Sequence, residues 1–257
     1  MTIAKFFCSA PVRILISVLC VAAIWQVLAA YVIKSDLVFA SLTSIFARMA
    51  TLAENGQLWT NIRVSGAEFL LGYAAAAIFG IILGVALALN RTFATLAGPW
   101  MGALYATPMI ALAPIFVVLM GIGIYSKVAI IFIEAFFQIA VNTSLGIRST
   151  SADLTEAARA FGASHAQVIR TVLLPNALPF IVAGMRIAVA RALAGVLISE
   201  IFGSEAGIGN LIWFSAEAYD MPSLFTGVFV LAGSSIVLMS LLGTLEKRLA
   251  PWRKDAV

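Results

Sequence analysis

The sequence predicts an all-α protein embedded in a lipid bilayer, and three observations carry that expectation. Of 257 residues, 62% are hydrophobic and 11% charged, with a mean hydropathy of +1.05. That is more apolar surface than one soluble core of this length would use. The apolar residues gather into six runs, at about 12–33, 66–89, 100–120, 126–147, 178–200 and 224–245. Each is long enough to cross roughly 30 Å of hydrocarbon as a helix. The links between the runs divide the basic residues unequally.

The run at 12–33 begins near Lys5 and Arg13 and ends in small residues, as a secretory signal does. Its length exceeds the apolar core of a signal, and Leu19 before Cys20 does not suit a lipoprotein cleavage site, so it is read as a span. Residues 1–60 thus comprise the first span and an outward link. In the second run, Gly72, Ala76, Gly80, Gly84 and Ala88 recur every fourth residue, a stripe that lets helix backbones approach closely. The third run contains Pro108 and Pro114, which free backbone carbonyls and bend a helix. Pro108 and the adjoining Met109 are candidates for lining a translocation pathway. The remaining runs complete a six-span domain over 61–250, followed by a tail at 251–257.

With six spans, both termini share a side with the links after spans two and four. Lys5, Arg13, Arg91, Arg148, Arg159, Arg170, Lys247, Arg248, Arg253 and Lys254 fall there; Lys34, Arg48, Arg63 and Lys127 fall on the other side. The basic side is expected to be cytoplasmic. Residues 34–65 and 201–223 then face outward, and the net charge of +4 needs no nucleic-acid partner.

Several chemistries are excluded by residue type. Cys8 and Cys20 cannot build a disulfide framework or a thiolate zinc site, and the single histidine, His165, rules out paired-His metal motifs. The chain has no Gly-x4-Gly-Lys-Ser/Thr loop. Any ATP must be bound by another chain.

One long polar segment interrupts the apolar pattern at 151–175. Asp153 followed by Glu156 predicts a helix start, and Gly162 is placed to end that helix as its C′ residue. Ser164 followed by Gln167 is a second capping box, and Pro175 is expected to close the second short helix. Leu154, Ala157, Ala158 and Phe161 form one apolar face; Ile169, Val172 and Leu173 form another. An amphipathic pair of this kind suits a membrane surface, a DNA-binding helix-turn-helix or a docking element. The DNA reading lacks a third helix, and Arg170 is the one clear phosphate partner on its second helix.

The segment also has a register. Glu156-Ala157-Ala158, three residues, Gly162, nine residues, Val172, one residue, Leu174-Pro175 resembles the cytoplasmic loop of the permease subunits of binding-protein-dependent ABC importers, where isoleucine is usual at the valine. Gly121, Gly123, Ser126, Lys127, Asn142, Thr143, Gly146, Arg148, Glu200, Gly207, Gly209 and Ile212 further resemble the nitrate, taurine, aliphatic sulfonate and bicarbonate branch. The resemblance covers roughly 60–250. Met120 and Gln138 depart from it, where an aromatic and a proline are common.

The resemblance implies a type I importer permease in a bacterial cytoplasmic membrane, both termini cytoplasmic and surrounded by lipid. It would be a homodimer, docked on ATPase subunits that bind ATP and Mg, and supplied by an extracytoplasmic substrate-binding protein. This chain would carry no cofactor and catalyse no bond chemistry. Glu156, Ala157, Ala158, Arg159, Phe161, Gly162 and Pro175 would form the coupling element. Its rigid-body motion would switch the pathway between inward and outward access.

Charges within the runs are Glu68, Glu134, Arg186, Arg191 and Glu200. A charge at mid-bilayer costs about 2.5–3.5 kcal/mol, so these residues should face protein or water. Glu134 and Arg191 fall at similar depth and are expected to pair. Alternatively, Arg186 or Arg191 presents guanidinium donors to an anion crossing the membrane, with Glu134 and Asn142 as further candidate pathway residues. What the resemblance implies is a small anion of the sulfonate, taurine, nitrate or bicarbonate class as cargo. A neutral heterocycle such as a pyrimidine vitamin precursor, a stand-alone channel and a membrane-anchored regulator are the alternatives.

Overall fold

The computed structural model describes residues 10–33, 35 and 37–250. Lys5, Cys8, Lys34, Arg253, Lys254 and the tail at 251–257 lie outside the described residues, as does the side chain of Met109. The described residues form helices and no strands. Helix α1 (Ala10–Val27) continues into a π turn at Leu28–Ile33. It is followed by α2 (Leu42–Glu54), α3 (Gln57–Leu89), α4 (Arg91–Ala106), α5 (Ala113–Met120) and α6 (Ile124–Arg148). Helices α7 (Ala152–Ala160), α8 (His165–Val168), α9 (Leu174–Ile201), α10 (Ile208–Glu217) and α11 (Met221–Leu249) complete the order.

The centre is a layer of three long helices, α3, α6 and α9, with α6 in the middle. The small-residue stripe of α3 presses directly on α6. A Cβ added at Gly72 would lie 2.7 Å from Ile131 Cβ, and one added at Gly84 would lie 2.5 Å from Thr143 Cβ. At Gly80 it would lie 3.0 Å from the Phe136 carbonyl oxygen, and Ala76 is fully buried. Only residues lacking a larger side chain permit this approach.

These contacts advance in the same direction along both helices, so α3 and α6 are parallel. Between α6 and α9 the pairing runs the other way: Gly195 meets Ile131, Gly184 meets Asn142, and Gly146 meets Phe180. The core between the three contains Phe69, Ile131, Ala135, Ile139, Val189 and Val196. Outside it, α11 lies against α9 and α10. Trp25 of α1 joins the near end of α11 through Phe225 and Phe229, and donates its Nε1–H to the Ala40 carbonyl at 3.0 Å.

Among the described residues, five helical segments are long and apolar enough to cross a membrane: Val12–Ile33, Gln57–Leu89, Ile124–Arg148, His165–Ile201 and Met221–Leu249. The expected third helix at 100–120 is not continuous. It divides into α4, a 3-10 turn at Met109–Leu112, and α5. Thr107 is extended (φ −71°, ψ 130°), as the residue before a proline is pushed to be, and Pro108 has no N–H with which to continue α4. Pro114 does not bend anything, because it stands in the first turn of α5, where that N–H would have no partner in any case. Because α3 and α6 are parallel, residues 90–123 must return the chain across the full thickness. The sixth crossing is therefore made by a broken segment.

Gly84→Val should strain the α3–α6 contact by about 1–3 kcal/mol, the usual cost of overpacking, and lower the melting temperature of the purified protein in detergent. Gly98→Ala in α4, where an added Cβ meets nothing within 4 Å, should leave it unchanged.

Candidate functional site

The polar segment at 151–175 is built from two caps back to back. Ser151, rather than Asp153, caps α7: its hydroxyl accepts the Asp153 N–H at 3.2 Å. Asp153 instead lies in the first turn, where its charge faces the positive end of the helix. At the other end Gly162 takes φ +84°. The Gly162 N–H donates to the Arg159 carbonyl at 2.9 Å and the Ala163 N–H to the Ala158 carbonyl at 3.0 Å, the paired bonds of a Schellman stop. Ser164 then opens α8 with the expected capping box, its N–H bonded to Gln167 Oε1 at 2.7 Å.

Pro175 does not close the second helix. The chain runs through a π turn at Ile169–Leu173 directly into α9, and Leu174 N–H reaches back to the Ile169 carbonyl. Widening the turn immediately before the proline accommodates a residue with no N–H, so helix continues from His165 to Ile201. The inner face of this segment is anchored: Val168 is buried, and Leu173 and Leu174 pack against Ile147, Ala177 and Ile181 at the adjoining ends of α6 and α9. The outer face is not covered. Leu154 is half exposed, Phe161 is 94% exposed, and Glu156, Ala157 and Arg159 are exposed beside them. Only Ala158 of the expected apolar face turns partly inward. The result is a firmly rooted knob with a bare aromatic at its tip.

At the opposite end of the bundle, a buried polar cluster holds the turn between α9 and α10. Glu200 Oε1 accepts from the Ser65 hydroxyl at 2.5 Å, and its Oε2 accepts the Gly209 N–H at 2.6 Å and the Asn210 N–H at 3.3 Å. The carboxylate thus caps the N-terminus of α10, where exposed N–H groups and the helix dipole favour a negative charge. Ser65 Oγ accepts the Ile208 N–H at 2.8 Å, and Asn61 Oδ1 accepts the Gly207 N–H at 3.0 Å. Beside them Lys127 Nζ pairs with Glu68 Oε1 at 2.8 Å and donates to Ser204 Oγ at 2.7 Å. Gly207 has φ +134°, and a Cβ there would run into the Glu200 carboxylate. The resemblance marks Lys127, Glu200, Gly207 and Gly209, and it does not bring them together with Asn61, Ser65 and Glu68. The available signal was polar residues at 61, 65 and 68, which share one face of α3.

Of the charges in mid-helix, Glu134 and Arg191 meet as expected, with Oε2 to Nη1 at 3.9 Å. The Glu134 side chain is covered, while that of Arg191 remains more than half exposed on the surface of α9. Arg186 pairs instead with Glu246 of α11 at 3.7 Å, a contact the sequence did not suggest. Asn142 donates its Nδ2–H to the Gln138 carbonyl at 2.8 Å and fills the space beside Gly184. Gln138 itself accepts from Tyr105 Oη at 2.7 Å, tying α4 to α6. Pro108 is exposed at the break in the third crossing, and the 3-10 turn that follows it lies against α6.

A broken-helix membrane bundle with a helical knob at one end is the architecture of an importer permease. The chain belongs to the family of binding-protein-dependent transport system inner membrane components, which residues 76–253 match. It is 29% identical to SsuC of Bacillus subtilis, assigned to aliphatic sulfonates transport, over 91% of this chain and 84% of that one. It is 28% identical to the taurine transport system permease protein TauC of Escherichia coli, over 90% and 86%. The formylaminopyrimidine transport permease protein ThiX of Halalkalibacterium halodurans is 32% identical over 90% and 92%. These relatives place the chain in the sulfonate and taurine branch of type I ABC importer permeases. Its fold is shared with the MetNI methionine ABC transporter in an inward-facing conformation, at TM-score 0.61 and 22% identity, covering 76% of this chain and 95% of that one.

Glu200→Ala should leave the Ser65 hydroxyl and two N–H groups of α10 without an acceptor, at about 1–3 kcal/mol for each buried group. Gly207→Ala should be comparably damaging. Limited proteolysis within 202–220 should become faster in both, whereas Gly123→Ala, with open space around the added Cβ, should behave as the wild type.

Proposed function

We propose that this chain is the translocation subunit of an importer for a small anion of the sulfonate class, driven by ATP hydrolysis on separate subunits seated against the α7–α8 knob. The observation that carries this reading is the knob itself. Its base is buried among the ends of α6 and α9, while Phe161 and Leu154 stand free at its tip. A rigid, rooted helix with an uncovered apolar tip suits transmission of a partner's movement into the bundle. In this reading Phe161 and Leu154 enter an apolar groove of the ATPase, Glu156 and Arg159 make polar contacts at its edge, and Gly162 fixes the angle between the two helices. The knob faces the cytoplasm of a bacterial inner membrane, and an extracytoplasmic binding protein delivers cargo to the opposite end. ATP and Mg are held by the partner, and two copies of this chain enclose the pathway.

The anion reading draws on Arg191. Its guanidinium is only loosely engaged by Glu134, leaving donors for sulfonate oxygens. Asn142 and Arg186 lie nearer the knob along the same layer, and Pro108 and Met109 would line the pathway at the broken crossing. A pyrimidine cargo is the second reading, favoured by the 32% identity to the formylaminopyrimidine permease protein. Uptake competition between taurine and formylaminopyrimidine separates the two.

Affinity purification of the intact chain should bring an ATPase subunit with it, and a stand-alone channel would not. Phe161→Ala should reduce that co-purification severalfold. Gly162→Val, which puts a β-branched residue at φ +84°, should abolish uptake while the protein still inserts. Normal uptake with Gly162→Val would remove the coupling role.

Arg191→Leu should lower taurine uptake at least tenfold relative to wild type, the effect of losing roughly 1.4 kcal/mol of anion stabilisation. Unchanged uptake by folded, inserted protein would exclude Arg191 from the pathway.

A further inference from the structure

A cavity of about 610 Å³ opens between the ends of α3 and α6 and the helix α4, and no residue of the knob or of the Glu200 cluster lines it. Arg91 and Arg148 line it together with Leu87, Thr95, Met101 and Leu145. Because α3 and α6 are parallel, the two arginines are brought to the same end of the bundle. Arg148 Nη2 donates to the Leu87 carbonyl at 2.6 Å, which fixes one guanidinium at the rim and leaves its other donors available. The Arg91 side chain makes no hydrogen bond or ion pair among the described residues, and no carboxylate lines the cavity.

The wall changes character along α6. From Arg148 back to Val141, also in the lining, is seven residues of helix, or about 10 Å at 1.5 Å per residue. Over that distance the surface passes from two guanidiniums to Leu145, Met101 and Val141, with the Ser144 hydroxyl among them. A site for a free, fully hydrated anion would have no use for an apolar floor. A molecule with a phosphate at one end and hydrocarbon at the other matches both parts.

We propose that this cavity holds the phosphate of an anionic glycerophospholipid between Arg91 and Arg148, with an acyl chain running along Leu145 and Met101. Guanidinium forks suit phosphate oxygens, and basic recesses between membrane helices near a headgroup level attract anionic lipid. The proposal depends on the chain crossing a membrane, and not on its cargo or on any ATPase.

The test is native mass spectrometry of the full chain released from nanodiscs made of equal parts phosphatidylglycerol and phosphatidylethanolamine. Phosphatidylglycerol should be retained in preference, and Arg91→Gln should lower its retention about fivefold, the factor expected for one arginine at a membrane surface. Adding Arg148→Gln should lower it further, whereas Arg170→Gln, on the knob and outside the cavity, should change nothing. Arg148→Gln also removes the bond to Leu87, so Arg91→Gln, which breaks no contact, decides the matter should the double variant be unstable. Equal retention of the two lipids, or retention unaffected by Arg91→Gln, would overturn the proposal. Arginine-dependent binding of inorganic phosphate to lipid-free protein that displaces phosphatidylglycerol would assign the site to a free anion and also overturn it. So would a lipid-free dimer in which a second copy protects this face.

Discussion

The parallel contact of α3 with α6 is the constraint from which the rest of the architecture follows. Two helix backbones can lie this close only because Gly72, Ala76, Gly80 and Gly84 present almost no side chain to Ile131, Ile139 and Thr143. In a bilayer, where lipid is as apolar as leucine, such close packing supplies the attraction that burial from water supplies in a soluble protein. Once the pair is parallel, the intervening chain has to cross back, and it does so through α4, a tight turn and α5. The antiparallel packing of α9 on the other side of α6 then fixes which loops share an end.

Two differently built ends result. At one, the α9–α10 turn is held by a carboxylate, two serines, an asparagine and an ion pair, all tied to α3 and α6. At the other, the knob is rooted by apolar packing and left bare outward. A buried polar network is costly unless its members are satisfied; this one joins residues from three long helices and α10, and Glu68 Oε2 is the atom in it left without a hydrogen-bond partner. Movement imposed at the knob would therefore travel along α6 and α9 as rigid bodies and reach a fixed assembly, not a loose loop. That is the mechanical basis on which the proposed transport role stands.

Much of this was legible in the sequence where the signal is local. The every-fourth-residue stripe, the Ser164–Gln167 box and the glycine stop at 162 each depend on residues within one or two turns of one another, and each took its expected form. The helix starts at Ser151 and not at Asp153 because both are good caps two residues apart, and only the backbone decides between them. Pro175 failed as a terminator because the π turn before it absorbs the missing donor, a choice made by the packing of Leu173 and Leu174 on α6 and α9. Hydropathy could not distinguish an unbroken crossing at 100–120 from one divided at Pro108, since apolar content is the same in both. The bond from Ser65 to Glu200 spans 135 residues, and Arg186 finds Glu246 across a different pair of helices. No spacing rule reaches that far.

The most direct measurement is sided labelling of single cysteines in a background lacking Cys8 and Cys20, one at Phe161 on the knob and one at Ala218 beyond α10. With a membrane-impermeant maleimide, the cysteine at 161 should react in inverted vesicles and be protected in intact cells, and the cysteine at 218 should show the reverse. Labelling of both from one side, or of position 161 from outside the cell, would contradict a bundle whose knob and polar cluster occupy opposite faces of the membrane.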